Sequence, residues 1–223
     1  ISPRTRTRTR TRQKRNDRSM EGLAVEKHPL QPFLPGNARL LMLGSFPPKK
    51  ERWSMDFFYP NFNNDMWRIF GLIFFNDRNV FVTGDGKHFD REKIMQFCSR
   101  KGIALYDTAE SVRRLRDNAS DKFLEIVRPS DLESLLRAIP ECRAVAVTGQ
   151  KAAETAAGVL ECEIPSPGHY SVFRPAQSPA GNQSDADRIY RLWRMPSSSR
   201  AYPLSLDRKA EAYRLMFASE NIL

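Results

Sequence analysis

Residues 39–45 read RLLMLGS, a short run of apolar residues that ends in a glycine and a serine. This length and composition are typical of a strand that is buried on both faces and followed by a loop. Three further segments have the same character: GIALYDT at 102–108, RAVAVTG at 143–149 and RIYRLWRM at 188–195. The sequence therefore predicts four strands.

Helical patterns separate these strands. In residues 65–75 the apolar side chains recur at helical spacing, and residues 90–102 form an amphipathic pattern that ends at Gly102. Three more helices are predicted, at residues 131–139, 150–160 and 202–219. Strands that alternate with helices form mostly parallel sheets with helices on both faces. We therefore expect an α/β fold of three layers, α/β/α, around a four-stranded, mostly parallel sheet.

The first 19 residues differ from the rest of the chain. They contain eight basic residues and one acidic residue, so they contribute +7 to the net charge of +10. Such a polar, like-charged segment cannot bury apolar surface, and we expect a disordered tail. It could be an arm that binds nucleic acid, an organellar presequence or, as we favour, sequence upstream of the true start. Residues 20–223 are then one domain with a net charge of +3, which is weak evidence for DNA binding.

Cysteine and histidine are sparse. The chain has three of each, with no CxxC pair, and the widely spaced cysteines predict buried free thiols in a reducing cytoplasm. We expect no metal and no other cofactor. No apolar run approaches the roughly 20 residues of a membrane span, so we expect no membrane partner. We also expect the protein to be a cytoplasmic monomer. Residues 165–186, rich in Pro, Gly, Ser and Asn, are predicted to form an exposed loop or hairpin.

The segment after the first strand carries the densest chemistry. Ligands of open α/β sheets bind beyond the carboxyl ends of the strands, and residues 44–67 combine a turn at Gly44 with many aromatic residues and three asparagines. Aromatic rings can stack on an extruded base, and amides can read a base edge or hold a water molecule. The alternative is structural: the aromatic residues are core, and Asn63 or Asn64 caps the helix at 65–75.

Two more loops follow strands at the same predicted edge. Residues 195–203 (MPSSSRAYP) place small hydroxyl side chains before a helix, where they could bind phosphate oxygens, or could simply cap the connection. Residues 147–152 (VTGQKA) could present backbone groups to a base or form a plain tight turn. Asp107, at the end of the second strand, is the acidic candidate, and we expect it to cap the following turn.

Together these motifs resemble the uracil-DNA glycosylase superfamily. The order seen in that superfamily is the order found here: LMLGSFP, FFYPNFNNDMW, GIALYDT, VTGQKA and RMPSSSRAYP. The similarity spans about residues 31–218. It is greatest to the branch described as hypoxanthine (deoxyinosine) DNA glycosylases and to related bacterial proteins, and it extends to the mismatch-specific uracil/thymine glycosylases.

The resemblance implies a monofunctional DNA glycosylase that extrudes and hydrolytically excises a deaminated base, uracil or hypoxanthine, in base-excision repair. Its partner would be DNA with a damaged or mismatched base, and its location the cytoplasm, at the nucleoid. Alignment on Trp67 gives Asn64 the catalytic role of orienting the attacking water. The base pocket would comprise Gly44, Ser45, Phe46, Tyr59 and Thr148. The DNA-binding residues would be Pro196, Ser197, Ser198, Ser199, Arg200 and Tyr202.

Three positions depart from the pattern of these relatives. Asn61 and Phe62 stand where relatives often have His-Pro, and Thr148 stands where they often have Asn. Ser45 stands where the mismatch-specific enzymes carry their catalytic Asn, which leaves catalysis to Asn64. Two other functions stay open: a non-catalytic DNA-binding member of the same superfamily, and a hydrolase of free nucleosides or nucleotides.

Overall fold

The computed structural model describes residues 23–115, 121–174 and 188–223, and within them it contains two sheets and five α-helices. The strands are β1 (Val25–Lys27), β2 (Leu40–Gly44), β3 (Ile103–Asp107), β4 (Ala109–Arg114), β5 (Leu124–Pro129), β6 (Ala144–Thr148), β7 (His169–Phe173) and β8 (Tyr190–Met195). The helices are α1 (Met66–Phe75), α2 (Arg91–Lys101), α3 (Leu132–Ala138), α4 (Gln150–Val159) and α5 (Leu206–Ser219).

The larger sheet has the strand order β3-β2-β6-β8-β7. Its first four strands run parallel, and β7 pairs with β8 in the antiparallel direction. The four parallel strands are those predicted from the sequence. The fifth strand lies in the segment predicted as an exposed loop or hairpin, so the count of four strands was one too low. Strand β7 forms one arm of the expected hairpin, and residues 175–186 of that segment lie outside the described part of the chain.

Apolar side chains on the two faces of this sheet form two cores. On one face, α1, α2 and α5 bury aromatic residues such as Phe70, Phe97 and Phe217 against the strands. On the other face, the leucines of α3 and the alanines of α4 pack on Leu41 and its neighbours. These two cores confirm the three-layer α/β/α arrangement. In the described residues, no helix is both long and apolar enough to span a membrane.

Helix boundaries follow local capping chemistry. The side chain of Asp90 accepts a hydrogen bond from the Lys93 N–H at the start of α2, and Gly102, with φ of 68°, ends that helix as predicted. Helix α5 begins at Leu206, four residues after the predicted start at 202. The reason is Ser205, whose hydroxyl accepts from the Arg208 N–H and fixes the first turn there.

A second, antiparallel sheet of three strands in the order β1-β4-β5 was not predicted. Its strands AESVRR and LEIVRP mix charged and apolar residues, because one of their faces is partly exposed. Strand β4 follows β3 after a single residue, Thr108, so this small sheet lies directly beside the carboxyl end of β3. The expected tail, residues 1–19, lies outside the described residues.

Candidate active site

A cavity of about 630 Å³ lies at the carboxyl ends of the four parallel strands. All four loops predicted from the sequence contribute to it: residues 44–48 after β2, Asp107 at the end of β3, Thr148 at the end of β6, and the loop after β8. Of the residues assigned to the site, those that line the cavity are Gly44, Ser45, Phe46, Tyr59, Asn64, Thr148, Ser197, Ser198, Ser199 and Tyr202. Two assigned DNA-binding residues, Pro196 and Arg200, lie outside its lining.

The floor of the cavity depends on a glycine. Gly44 and Asp107 are register partners at the ends of β2 and β3. A Cβ atom built on Gly44 would lie 2.4 Å from Asp107 Oδ1 and 3.7 Å from the ring of Tyr59. A side chain at position 44 would therefore collide with the carboxylate, which explains why the strand ends in glycine.

Tyr59 forms an aromatic wall beside this floor. Its backbone has φ of 50°, a left-handed conformation that is costly for a residue with a side chain and is often found at functional sites. Its ring packs edge-on against Trp67, and its hydroxyl lies 3.4 Å from Thr148 Oγ1. Phe46, the expected second wall, also lines the cavity, but it is only 7% exposed and packs against the small sheet.

Asn64 lines the cavity next to the start of α1. Its Oδ1 accepts a hydrogen bond of 2.9 Å from the Met66 N–H, while the N-cap residue itself, Asp65, makes no side-chain cap bond. Asn64 therefore has the structural role that was the alternative to catalysis, since its side chain binds the first turn of α1. The same bond fixes the orientation of the amide, because it engages the oxygen as an acceptor.

The loop of residues 195–203, hereafter the serine loop, is joined to the Asn64 segment through the backbone. Asn64 forms an isolated antiparallel bridge with Ser199, and the Asp65 N–H donates to the Ser198 carbonyl over 2.9 Å. The two segments that the sequence singled out for base chemistry and for DNA binding thus form one continuous wall.

Buried charges reinforce this junction. Asp65 accepts hydrogen bonds from Lys209 Nζ at 3.0 Å and from Arg200 Nε at 3.1 Å. Lys209 also donates to the Ser199 carbonyl over 2.8 Å, and Arg200 Nη1 donates to Asn63 Oδ1 over 3.2 Å. The Lys209 side chain is 1% exposed, whereas that of Arg200 is 47% exposed, so only the arginine remains accessible to a further partner.

The serine hydroxyls mostly hold the loop in shape. Ser197 Oγ accepts from the Ser199 N–H, and Ser199 Oγ accepts from the Ala201 N–H, each over 3.2 Å. Ser198 is 3% exposed. Pro196 is buried, and its carbonyl accepts from the hydroxyl of Tyr213. These bonds form a rigid rim, and each hydroxyl oxygen engaged as an acceptor keeps its proton as a donor for a phosphate oxygen.

A buried histidine that no sequence motif indicates contacts the cavity wall. His28 Nε2 lies 2.8 Å from Asp107 Oδ2, and the two side chains are 1% and 10% exposed. Asp107 was expected to cap a turn; instead its carboxylate contacts His28 and lies against the backbone of Gly44. Burial raises the pKa of Asp107, and the His28 contact opposes that rise. No motif signals this pair, because His28 and Asp107 are 79 residues apart.

Two cations missed by the sequence analysis also line the cavity, Arg114 and Lys122. Arg114 is fixed by hydrogen bonds from Nε to Glu26 and from Nη2 to the Pro47 carbonyl. Arg114 lies on β4 of the small sheet, so its position at the cavity could be predicted only together with that sheet.

The cysteines are free, as expected: Cys98 and Cys142 are buried, and Cys162 is partly exposed. Burial raises the pKa of the Cys142 thiol to about 12, which makes it unreactive at neutral pH. Over the described residues, no group of three or more His, Cys, Asp or Glu side chains is placed to hold a metal ion.

No protein-family model and no curated protein matches the chain. Among solved structures, the fold is similar to the solution NMR structure of a protein from Methanosarcina acetivorans described as a putative uracil DNA glycosylase. The two chains are 20% identical, the match covers 89% of this chain and 99% of the other, and the TM-score is 0.58. This chain therefore has a uracil-DNA glycosylase-like α/β fold.

Proposed function

We propose that this protein is a monofunctional DNA glycosylase that extrudes a deaminated base, uracil or hypoxanthine, from DNA and hydrolyses its glycosidic bond. The observation that carries the proposal is the convergence of the Tyr59 ring, the Asn64 amide and the serine loop on one cavity. The likeness in fold to the Methanosarcina protein, and the order of the motifs, support it. Such an enzyme would act in base-excision repair, as a cytoplasmic monomer at the nucleoid.

The size and lining of the cavity suit a flat ring. Its volume of about 630 Å³ is within the range of roughly 300–1,000 Å³ that small-molecule sites occupy. Tyr59 and Phe46 supply aromatic surface on which a base can stack. A base inside a duplex is out of reach, so the nucleotide must be flipped out, at a cost of about a few kcal/mol that is lowest for mismatched or damaged bases.

In the proposed reaction, the oxygen of a water molecule bonds to the sugar carbon while the bond from that carbon to the base nitrogen breaks. The electron pair of the broken bond leaves with the base, which takes up a proton, while the attacking water loses a proton to the solvent and becomes the hydroxyl of the sugar. Asn64 has no titratable group, so its contribution is to position the water and to act electrostatically. Backbone N–H groups between Gly44 and Phe46 would stabilise the negative charge on the departing base, as an oxyanion hole does.

The serine loop would hold the DNA backbone beside the extruded nucleotide. It lies before the N-terminus of α5, where the helix dipole favours anions. The exposed guanidinium of Arg200 is anchored on Asp65 and is the cation of this loop that a phosphate can reach.

A second candidate function is a DNA-binding protein of the same fold without catalysis. One observation favours it: the amide oxygen of Asn64 already serves the helix by accepting from the Met66 N–H. In that case the cavity would hold an extruded base without releasing it. The departures at Asn61, Phe62 and Thr148 would then be the first positions to examine, since Asn61 and Thr148 line the cavity.

The proposal is tested with duplexes that each carry one uracil, hypoxanthine or mismatched thymine, incubated with the full chain. Release of the free base, detected by mass spectrometry, together with an alkali-labile site in the strand, would establish a monofunctional glycosylase and identify its base. Duplex binding without release from any substrate would overturn the enzymatic proposal in favour of the non-catalytic one.

A further inference from the structure

The cavity wall contains an ionisable pair that the proposed mechanism does not use. Asp107 is 7% exposed as a residue, and the part that remains accessible faces the cavity. Its Oδ1 lies over the backbone of Gly44, in the space that a Cβ atom at position 44 would occupy. The carboxylate is therefore part of the floor on which an occupant of the cavity would rest.

His28 fixes this carboxylate from behind. Its Nε2 lies 2.8 Å from Asp107 Oδ2, and its Nδ1 lies 2.9 Å from the Leu30 carbonyl oxygen. The imidazole packs between the rings of Phe46 and Tyr106, with ring centroids 5.3 and 4.7 Å away. Contacts on both ring nitrogens, together with the neighbouring aromatic rings, leave the imidazole a single orientation, in which it holds one carboxylate oxygen and leaves the other towards Gly44.

A buried carboxylate is costly unless its oxygens accept hydrogen bonds. Among the described residues, the Asp107 carboxylate accepts a hydrogen bond from His28, and its Oδ1 lies against the backbone of Gly44. Two oxygens can accept about four hydrogen bonds in all, so capacity remains on the side of the cavity. The natural occupants, a base with a ring N–H or a water molecule, both carry the donor that this acceptor lacks.

We propose that Asp107, positioned by His28, accepts a hydrogen bond from an N–H or O–H donor of the cavity's occupant, either the ring N–H of an extruded base or the attacking water. This inference rests on the proposed function. In this account the carboxylate form is required, so activity falls as the pH drops and Asp107 takes up a proton.

Several other charged or titratable groups line the same cavity or belong to the electrostatic surroundings of Tyr106, the residue next to Asp107. They are Tyr59, Tyr106, Glu110, Arg114 and Lys122. Tyr106 has a raised pKa because of its burial and the nearby charges of Asp107 and Glu110, so it is neutral in the range of interest. Glu110 is the other carboxylic acid among these groups, and its substitution separates its contribution to the acid limb of activity from that of the His28–Asp107 pair.

The test compares three variants of the full chain. Asp107→Asn keeps the shape but removes the charge, and His28→Gln keeps a donor without the imidazole. Glu110→Gln is the matched control, because Glu110 is a nearby acid that pairs with the exposed Arg128 and does not line the cavity. Single-turnover base release is measured across pH, and affinity for free uracil and free hypoxanthine is measured by NMR titration.

Asp107→Asn is expected to lower release or free-base affinity by about tenfold to a hundredfold, the usual effect of losing a hydrogen bond to a charged group, and to remove the acid limb. His28→Gln is expected to move that limb to higher pH, because the contact with His28 lowers the pKa of Asp107. Glu110→Gln is expected to leave both unchanged. Lost free-base affinity assigns the donor to the base, and a loss confined to the release rate assigns it to the water.

An Asp107→Asn protein that keeps the pH profile and the free-base affinity of the unsubstituted chain would overturn the inference. Failure of the proposed function has a different signature, since the unsubstituted chain would then release no base. In that case the NMR titration still decides: perturbation of the Asp107 carboxyl signal by the free bases supports the inference, and an unperturbed signal refutes it.

Discussion

The ammonium group of Lys209 lies 3.0 Å from Asp65 Oδ2, and the two side chains are 1% and 9% exposed. Lys209 belongs to α5, near the C-terminal end of the chain, and Asp65 directly precedes α1. Because Lys209 also donates to the Ser199 carbonyl, one buried ammonium connects the closing helix, the serine loop and the segment that carries Asn64. The geometry of the cavity wall thus depends on an ion pair that is not itself in the cavity.

Removal of this ammonium group is expected to lower the free energy of unfolding substantially. Lys209→Met leaves the Asp65 carboxylate buried without its buried ammonium partner, while the half-exposed Arg200 stays paired with it, and we expect a loss of about 3 kcal/mol or more in the free energy of unfolding. Arg91→Met, which breaks the exposed pair with Glu92, is the control and should cost less than about 1 kcal/mol. Urea unfolding measures both. Equal losses of unfolding free energy in the two variants would mean that the buried ion pair stabilises the protein no more than the exposed pair does.

Gly44 offers a steric test of the cavity floor. Gly44→Ala places a methyl group 2.4 Å from Asp107 Oδ1, and we expect it to destabilise the protein by about 1–3 kcal/mol, as overpacking does. Gly158→Ala in α4 is the matched control. It has open space around its Cβ position, and it should be neutral or stabilising by up to about 1 kcal/mol, since alanine favours helix. Equal shifts of the melting temperature in the two variants would contradict the predicted collision between a methyl group at position 44 and Asp107.

The pKa of Asp107 makes a prediction about stability that is independent of catalysis. Burial raises the pKa of this carboxyl in the folded protein above its ordinary value of about 4. Between those two values the folded state binds more protons than the unfolded chain, so the contribution of Asp107 to stability falls as pH rises through that window. Asp107→Asn removes this contribution. The stability difference between the two proteins should therefore change with pH inside the window and be constant above it; parallel curves at every pH would refute the raised pKa.

DNA binding through the serine loop predicts a salt effect. Affinity that rests on phosphate contacts falls steeply with salt, whereas binding of a free nucleoside should be nearly indifferent to it. We expect Arg200→Gln to weaken duplex binding uniformly across sequences and to reduce the slope of log affinity against log salt by about 1. Arg91→Gln, at the start of α2, serves as the control and should leave the slope unchanged. An unaltered slope in Arg200→Gln would remove this residue from the DNA contact.

The sequence predicts the large sheet well because its parallel strands are buried on both faces. Such strands, as in Leu40–Gly44 and Ala144–Thr148, are continuous apolar runs that stand out from the helices between them. The position of the site follows from the same fact, since the carboxyl ends of those strands meet at one edge. Accordingly, ten of the twelve residues assigned to the site line one cavity.

The small sheet could not be predicted in the same way. Strand β4 carries Glu110, Arg113 and Arg114 among its six residues, so it lacks the apolar signal of a strand. It nevertheless places Arg114 at the cavity, and the residue that follows β1, His28, against Asp107. These contacts join residues that are far apart in the chain, and only the folded structure shows them. The sequence of the serine loop also gives no indication that Arg200 forms an ion pair with Asp65.

Cleavage of a glycosidic bond in this cavity is proposed to depend on Asn64. The most direct test measures abasic-site formation in uracil and hypoxanthine duplexes by the unsubstituted chain, by Asn64→Ala and by Asn79→Ala. Asn79 is the control, because it is exposed and does not line the cavity. We predict a loss of at least about a hundredfold for Asn64→Ala, the scale of removing one positioned polar group, with duplex binding retained and Asn79→Ala nearly normal. Excision that Asn64→Ala leaves intact, or its absence in the unsubstituted chain, would contradict the claim.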